Sequence, residues 1–431
     1  MKHTMIPTYI INVKERHDRL AHMRNEFKGR PQFALNIIEA VVHQSGAKGL
    51  WLSVLMIIEQ AKSKGENYVL ICEDDHQFTG NFNEVEFEKF LIETDQKKGD
   101  ILLGGVHWFN STFEVGEKLF WVDKFTATQF LVIYSRFFDT LLKSDFLDTD
   151  DLDLKISTLT DHKFVIYPFI SVQKEFGYSD IRFNSHEALP MNTDFKLTSS
   201  LLNHLQKIDK YFRNCPIEVD DNFGNLSIPV FSISNRSASD AIAKQFDNKP
   251  EFNIISIKKH AENENKNLWK SHCEIINLAI EKEYDLIIIV TEEHRFSKDY
   301  SFNFLVKNIL EAFEHGADAL FGGGLDFGLG VPISKNRIWV NQIVSTGFVV
   351  LFKDIFPKIL EYDIYSNEHY ELSNVAKNKM TIYPAISINE IFHTNSADET
   401  ASESQLLITN MFSRTTERLQ KMSEAFQRYR S

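Results

Sequence analysis

Short, continuous apolar runs recur along the chain, each separated from the next by a polar stretch with helical spacing. Residues 9–13, 68–72, 101–103 and 130–134 read as strands apolar on both faces, and so do 229–233 and 286–290. After the first run, Leu20, Met23 and Phe27 fall on one face of a helix. A second helix runs from about residue 50 to 64, and Gly65 is placed to end it. Strands buried on both faces and alternating with helices predict an α/β protein with a mostly parallel, helix-wrapped sheet.

The pattern occurs twice. Leu50, Trp51 and Ser53 recur as Leu268, Trp269 and Ser271, a shift of 218 positions. The same shift carries His76 and Phe78 onto His294 and Phe296, and Asp100 onto Asp318. It also carries Gly104 and Gly105 onto Gly322 and Gly323, Trp121 onto Trp339, and Thr128 and Phe130 onto Thr346 and Phe348. Further along the shift is 216, taking Tyr167, Pro168, Ile170 and Ser171 onto Tyr383, Pro384, Ile386 and Ser387. A fixed offset held over so long a stretch predicts one unit repeated in tandem. The expected organisation is a first domain over 1–176, a connector over 177–226, a second domain over 227–390 and a helical tail over 391–431. The connector carries an amphipathic helix with Leu201, Leu202, Leu205, Ile208 and Phe212. The recurring tryptophans read as core anchors rather than sugar platforms. Gly104-Gly105 offers a tight turn or a close backbone approach.

Composition narrows the functional classes. A net charge of −13 over 431 residues gives no basic face for nucleic acid. Cys72, Cys215 and Cys273 are far apart and lack zinc-type spacing, so they read as reduced thiols. The apolar runs are too short to span a bilayer, and no basic segment followed by an apolar one opens the chain. A cytoplasmic protein is the expectation. In the tail, Phe412, Leu419, Met422 and Phe426 share one face among Arg414, Arg418, Lys421, Arg428 and Arg430. That stripe docks on its own domain, the alternative being peripheral contact with an anionic membrane.

Chemistry concentrates at Glu73-Asp74-Asp75, directly after a buried strand. Ligands of open α/β sheets bind at the carboxyl ends of strands. Side-chain alternation puts Glu73 and Asp75 on one face and Asp74 on the other. Two carboxylates on one face supply hard oxygen ligands for Mn²⁺ or Mg²⁺, which could bridge a diphosphate. A solvated acidic loop is the plain alternative. The second copy reads Thr291-Glu292-Glu293 there, replacing one carboxylate by a hydroxyl and lengthening another, which marks that site as degenerate. Arg16 and Arg19 follow the first strand, where a guanidinium fork suits phosphate, or form a solvated pair. Asn12 at the strand end reads as a base or ribose contact or as a turn residue. His76, present in both copies, is either structural or part of a metal or diphosphate site.

Taken in order, these segments resemble glycosyltransferase family 25, the lipooligosaccharide and procollagen sugar-transferase group. The resemblance rests on Ile11-Asn12-Val13-Lys14-Glu15-Arg16-His17-Asp18-Arg19, Gly49-Leu50-Trp51-Leu52-Ser53 and Leu70-Ile71-Cys72-Glu73-Asp74-Asp75. It continues through Gly99-Asp100-Ile101-Leu102-Leu103-Gly104, the segment from Ala127-Thr128 to Ile133, and Tyr167-Pro168 onward with Gln173, Ser179 and Ile181. It covers residues 8–181. Val54 stands where the family has His, and Ala127 where it has Gly. The resemblance implies two tandem GT-A-like, Rossmann-like domains and metal-assisted, inverting transfer of a hexose from a sugar nucleotide, UDP-linked, to a hydroxyl acceptor. That acceptor is a glycan, a lipid-linked glycan or a peptide. On this scheme Asn12, Arg16, Arg19, Ser53, Glu73, Asp74, Asp75 and Thr128 bind the donor, with Glu73 and Asp75 on the metal. Asp150 or Asp151 takes the acceptor proton, worth roughly 10²–10⁴ in rate; both also read as exposed acids. The competing function is a non-catalytic carbohydrate- or nucleotide-binding pseudo-glycosyltransferase. A phosphoacceptor receiver domain fits poorly, because its acidic pair follows the first strand.

Overall fold

The apolar runs form the centre of two eight-stranded sheets, one in each half of the chain. The computed structural model describes residues 5–177, 191–215, 217, 226–234, 239–258, 264–362, 371–389 and 399–430; Ser179 and Ile181 lie outside them. The chain divides into unit one, Met1–Lys207 with Arg428–Ser431, and unit two, Ile208–Gln427.

The strands of unit one are β1 (Ile6–Asn12), β2 (Phe33–Glu39), β3 (Tyr68–Glu73), β4 (His76–Phe78), β5 (Ile101–Leu103) and β6 (Trp108–Phe109). They continue as β7 (Thr112–Gly116), β8 (Leu119–Val122), β9 (Phe125–Thr126), β10 (Phe130–Tyr134), β11 (Lys163–Ile166) and β12 (Ser171–Gln173). The large sheet has the order β2-β1-β3-β10-β5-β11-β8-β7, with β10 and β8 running against the other six strands. Its middle strands β10, β5, β11 and β8 are buried throughout, as continuous apolar runs require. The expected α/β class with a mostly parallel sheet therefore holds. Two short pairs, β4 with β12 and β6 with β9, stand apart from it. The edge strand β2 leaves no continuous run to read: burial alternates along it, and Leu35 and Ile37 are exposed.

The helices of unit one are α1 (His17–Glu26), α2 (Gly46–Lys64), α3 (Glu84–Gln96), α4 (Ser135–Leu142), α5 (Leu152–Thr158) and α6 (Met191–Arg213). Gly65 ends α2 at φ 69°, the left-handed cap expected of it. The segment expected as a connector contributes α6, of which residues up to Lys207 belong to unit one. Phe195, Leu202, Leu205 and Phe212 are buried, but Leu201, expected on the same apolar face, is exposed.

Unit two repeats the strand order. Its sheet runs Phe252–Lys258, Ile228–Ser234, Leu286–Thr291, Phe348–Phe352, Ala319–Phe321, Lys379–Ile382, Arg337–Val340 and Gly330–Ser334. Pairing registers agree as well: Phe130 opposes Cys72, and Phe348 opposes Val290. The C-terminal helix Glu399–Arg430 buries Leu419 and Met422. Thr415 donates to the Leu325 carbonyl at 2.7 Å, and the Arg418 guanidinium lies 3.9 Å from the centre of the Phe327 ring. The tail's apolar stripe is thus spent on the protein itself. Among the described residues no helix is long and apolar enough to cross a membrane.

The recurring residues are mostly those that satisfy polar groups inside each unit. His76 Nδ1 lies 2.8 Å from Ser171 Oγ, and His294 Nδ1 lies 2.8 Å from Ser387 Oγ. Both rings sit among phenylalanines, Phe78 and Phe130 in one unit, Phe296 and Phe348 in the other. Gly105 and Gly323 recur because a Cβ there would stand 2.3 and 2.5 Å from the carbonyls of Ser171 and Ser387. Trp51, Trp121, Trp269 and Trp339 are all buried. One recurrence escaped the sequence reading. The ammonium of Lys163 donates to the carbonyls of Ser157 and Thr160, and that of Lys379, 216 positions on, donates to Ala376.

Burial pushes His294 down to about 3, whereas an imidazole in an unfolded chain titrates near ~6.5. Because the folded value is the lower one, the unfolded chain takes up the proton first. The neutral ring's contribution is therefore lost as pH falls from about 6.5 toward 3. His294→Gln is expected to lower stability at neutral pH and to flatten the fall in denaturant midpoint between about pH 7 and 5. An unchanged slope in the variant would show that this ring does not carry the effect.

Candidate functional site

β1, β3 and the segment before β10 end at one side of the sheet in unit one. There the chain encloses a cavity of about 1080 Å³. Ile11 and Val13 from the end of β1, Arg16 and Arg19 from α1 and its approach, and Glu73, Asp74 and Asp75 from the end of β3 form its floor. Ala127 and Thr128 before β10, Asp151 and Asp153 at the start of α5, and Asp194, Thr198 and Leu201 of α6 form further walls. The supposed connector thus supplies one side of the site. Thr198 holds it there by donating to the His107 carbonyl, and Gln206 Nε2 donates to Glu114 Oε1 at 2.6 Å.

β3 ends at Glu73, and Asp74 and Asp75 lie in the turn before β4, so the alternation expected of the three acids does not hold: all three line the cavity. Asp74 faces the arginines, with Oδ1 accepting from Arg19 at 2.7 Å and Oδ2 lying 3.7 Å from Arg16. Glu73 accepts from Thr128 Oγ1 at 2.7 Å. Asp75 Oδ2 lies 3.6 Å from Arg19, whereas its Oδ1 is buried with no hydrogen-bond partner. Burial, followed by the charge of Asp75, holds Glu73 well above the usual carboxylate range. Burial, followed by the charge of Asp74, does the same to Asp75, although Arg19 and Arg16 oppose it. An orphaned anionic oxygen beside a second desolvated carboxylate is a donor set suited to a divalent ion. Mg²⁺-type ions commonly take only one or two protein carboxylates and complete their shell with phosphate and water. The described residues contain no cluster of three or more His, Cys, Asp or Glu side chains able to hold a metal.

The other sequence-expected residues separate. Thr128 lines the cavity, but Asn12 and Ser53 do not. Asn12 is buried at the end of β1 and donates to the Val13 carbonyl at 2.6 Å. Ser53 accepts from Val41 N at 2.8 Å and donates to the Gly49 carbonyl at 2.8 Å. It thereby pins the loop whose Val41, Val42 and His43 line the cavity. Gly49 is required beneath that loop, since a Cβ would stand 2.5 Å from the Val41 carbonyl. Asp150 is turned away from the cavity. Its Oδ2 accepts from Leu147 N at 2.9 Å and pairs with Lys155 at 3.1 Å, contacts that lower its pKa. Asp151 lines the cavity and makes no capping hydrogen bond to α5.

Among the cavity residues that the sequence does not single out, two carry chemistry of their own, Asp153 and Trp108. Asp153 Oδ2 accepts from Ala127 N at 2.9 Å, and burial raises its pKa; nothing in an acidic run distinguishes it beforehand. Trp108 lines the cavity and is 48% exposed. It is the one tryptophan without a counterpart in the second copy, a signal the sequence did contain.

In unit two the Thr291 hydroxyl donates to Glu293, so the position matching Glu73 is spent on the position matching Asp75. No family model matches the chain, and no curated protein matches it. Among solved structures it is similar to the glycosyltransferase GlyE of Streptococcus pneumoniae TIGR4, at 9% identity over 72% of this chain and 98% of that one, TM-score 0.27. It is also similar to a UDP-glucose pyrophosphorylase complexed with UDP-glucose, at 10% identity over 44% and 81%, TM-score 0.26. A third is the nucleoside-diphosphate-sugar pyrophosphorylase of Vibrio cholerae RC9, at 12% identity over 40% and 79%, TM-score 0.23. Overlaps this loose carry no argument about function.

Ala127 holds φ 85°, a left-handed value that it meets with a side chain; its unit-two counterpart 218 positions on is Ser345, and the left-handed residue of that turn is Gly347, two positions later, at φ 88°. A Cβ in that region costs roughly 1–2 kcal/mol, against roughly 0.5–1 kcal/mol of extra chain entropy for glycine. Ala127→Gly is therefore expected to raise stability by up to about 1 kcal/mol in a denaturant titration. A loss of stability would show that the turn carries no strain.

Proposed function

We propose that unit one is a sugar transferase that moves a hexosyl group from a sugar nucleotide, UDP-linked, to a hydroxyl acceptor. The observation that carries this reading is the buried, unpartnered Asp75 Oδ1 beside Glu73, on the floor of a cavity that also presents Arg16 and Arg19. Glu73 and Asp75 would hold Mn²⁺ or Mg²⁺, which when bound neutralises charge on a departing diphosphate. Arg16 and Arg19, steadied by Asp74, face the same diphosphate. Thr128 orients the Glu73 carboxylate through its 2.7 Å hydrogen bond. Of the two acids expected to act as base, Asp151 is the one lining the cavity. It accepts the proton of the acceptor hydroxyl as that oxygen bonds to the anomeric carbon and the nucleoside diphosphate leaves from the opposite face, inverting the centre.

Unit two, with its Thr291–Glu293 bond, binds no donor on this reading and serves as a folded partner domain. The resemblance to glycosyltransferase family 25 and the origin of the two units by duplication belong to the same proposal.

Calorimetric titration of uridine diphosphate with Mn²⁺ is expected to give one site per chain. Asp75→Asn and Glu73→Gln should each weaken it by at least about tenfold, a loss of about 1.4 kcal/mol or more, while Glu293→Gln leaves it unchanged. Binding that survives Asp75→Asn, or that needs Glu293, would place the donor elsewhere. Donor binding without sugar transfer or hydrolysis would favour the pseudo-enzyme.

A further inference from the structure

A large aromatic ring half out in water needs a reason. Trp108 sits on β6, whose pairing with β9 sets Trp108 opposite Thr126. The fold makes the same short pair in unit two, where Asp326 stands opposite Val344, each 218 positions on. Asp326 is exposed. The architecture therefore accepts a small charged residue at this position, and the indole of unit one is not there for packing. The backbone beneath it is nevertheless held firmly. Thr198 donates to the carbonyl of His107, and the His107 ring meets Phe195 of α6 edge-on at 4.2 Å between centroids.

What surrounds the indole indicates what it takes. Trp108 shares the cavity with Glu73 and Asp75 at the floor and with Asp151 and Asp194 on the walls. Exposed Val42, Leu197 and Leu201 complete the rim. Carboxylates accept hydrogen bonds from hydroxyls, and an aromatic face attracts the weakly positive C–H groups of one side of a pyranose. A ring with hydroxyls around its edge and C–H groups on its face satisfies both at once. An extended peptide backbone has no ring edged with hydroxyls, and a lipid chain would set methylenes against the carboxylates.

We infer that Trp108 is the stacking platform for a hexopyranose, and that the acceptor is the sugar end of a glycan. The inference rests on the proposed sugar transfer for its acceptor role, but its test does not use the donor. Trp51, Trp121, Trp269 and Trp339 are buried, so acrylamide quenching of tryptophan fluorescence in the full chain reports mainly on Trp108. Methyl hexopyranosides (glucoside, galactoside and mannoside) are the probes, with n-hexanol as the apolar control. At least one glycoside should reduce quenching saturably, and n-hexanol should not. Trp108→Asp installs the residue type that unit two holds at this position. It should fold with an unchanged melting temperature, lose the quenchable component, and bind uridine diphosphate with Mn²⁺ as before. Direct titration should show glycoside binding weakened by about tenfold or more in this variant, with Trp108→Phe intermediate. No protection by any glycoside, protection by n-hexanol instead, or loss of uridine diphosphate binding in Trp108→Asp would each overturn the assignment. Failure of Mn²⁺–uridine diphosphate binding in the unaltered chain, with glycoside protection intact, would instead overturn the transferase reading and leave the sugar site standing.

Discussion

Three successive carboxylates at the mouth of a fully apolar strand cannot all stay charged unless something answers them. Residues 69–72 of β3 are buried, so Glu73, Asp74 and Asp75 emerge where solvation is poor. The chain answers the three unequally. Arg19 and Arg16 neutralise Asp74, whereas Glu73 receives only the hydroxyl of Thr128 and Asp75 keeps an oxygen with nothing on it. Incomplete compensation of this kind costs stability, and it persists at places where a ligand completes the set.

Much of the remaining architecture can be seen as holding that corner still. His76, neutral because burial pushes it down to about 3, ties β4 to Ser171 of β12 immediately beside the acids. The β4–β12 pair brings Gln173 to the cavity, and Lys174 N donates to the Asp75 carbonyl at 2.8 Å. Asp153 holds Ala127 in a left-handed turn, which presents Thr128 to Glu73. In unit two the same His–Ser tie remains, while one of the three acids is replaced by Thr291, whose hydroxyl donates to Glu293. The anchor survives where one of the three carboxylates has been lost. A buried imidazole without its hydroxyl partner would be costly in either unit.

The positions legible in advance were those where one local rule dominates. Both-face burial marked β3, β5 and β10. Gly65 marked the end of α2, whereas the alternation expected of the acids stops at Glu73, where β3 gives way to the turn that carries Asp74 and Asp75. Positions that needed a partner from far along the chain were not legible. Ser53 sits in a helix-start motif yet serves a loop that lines the site. Asp150 and Asp151 are neighbours in an acidic run, and only the start of α5 turns one toward the cavity and the other toward Lys155.

The sequence by itself determined the α/β class, the twofold occurrence of the pattern, and the strand end where the acids gather. Hydrophobic periodicity and a constant offset are properties of residue order alone. The tertiary structure decided which side chains meet. It made α6 a wall of the cavity rather than a link, left Asn12 and Ser53 behind the site, and put an exposed indole on its rim. Those outcomes depend on contacts between residues tens to a hundred positions apart, such as Thr198 with His107 and Asp153 with Ala127. Local spacing encodes which face a residue occupies, but a site is assembled from faces of different elements, and their meeting is set by packing.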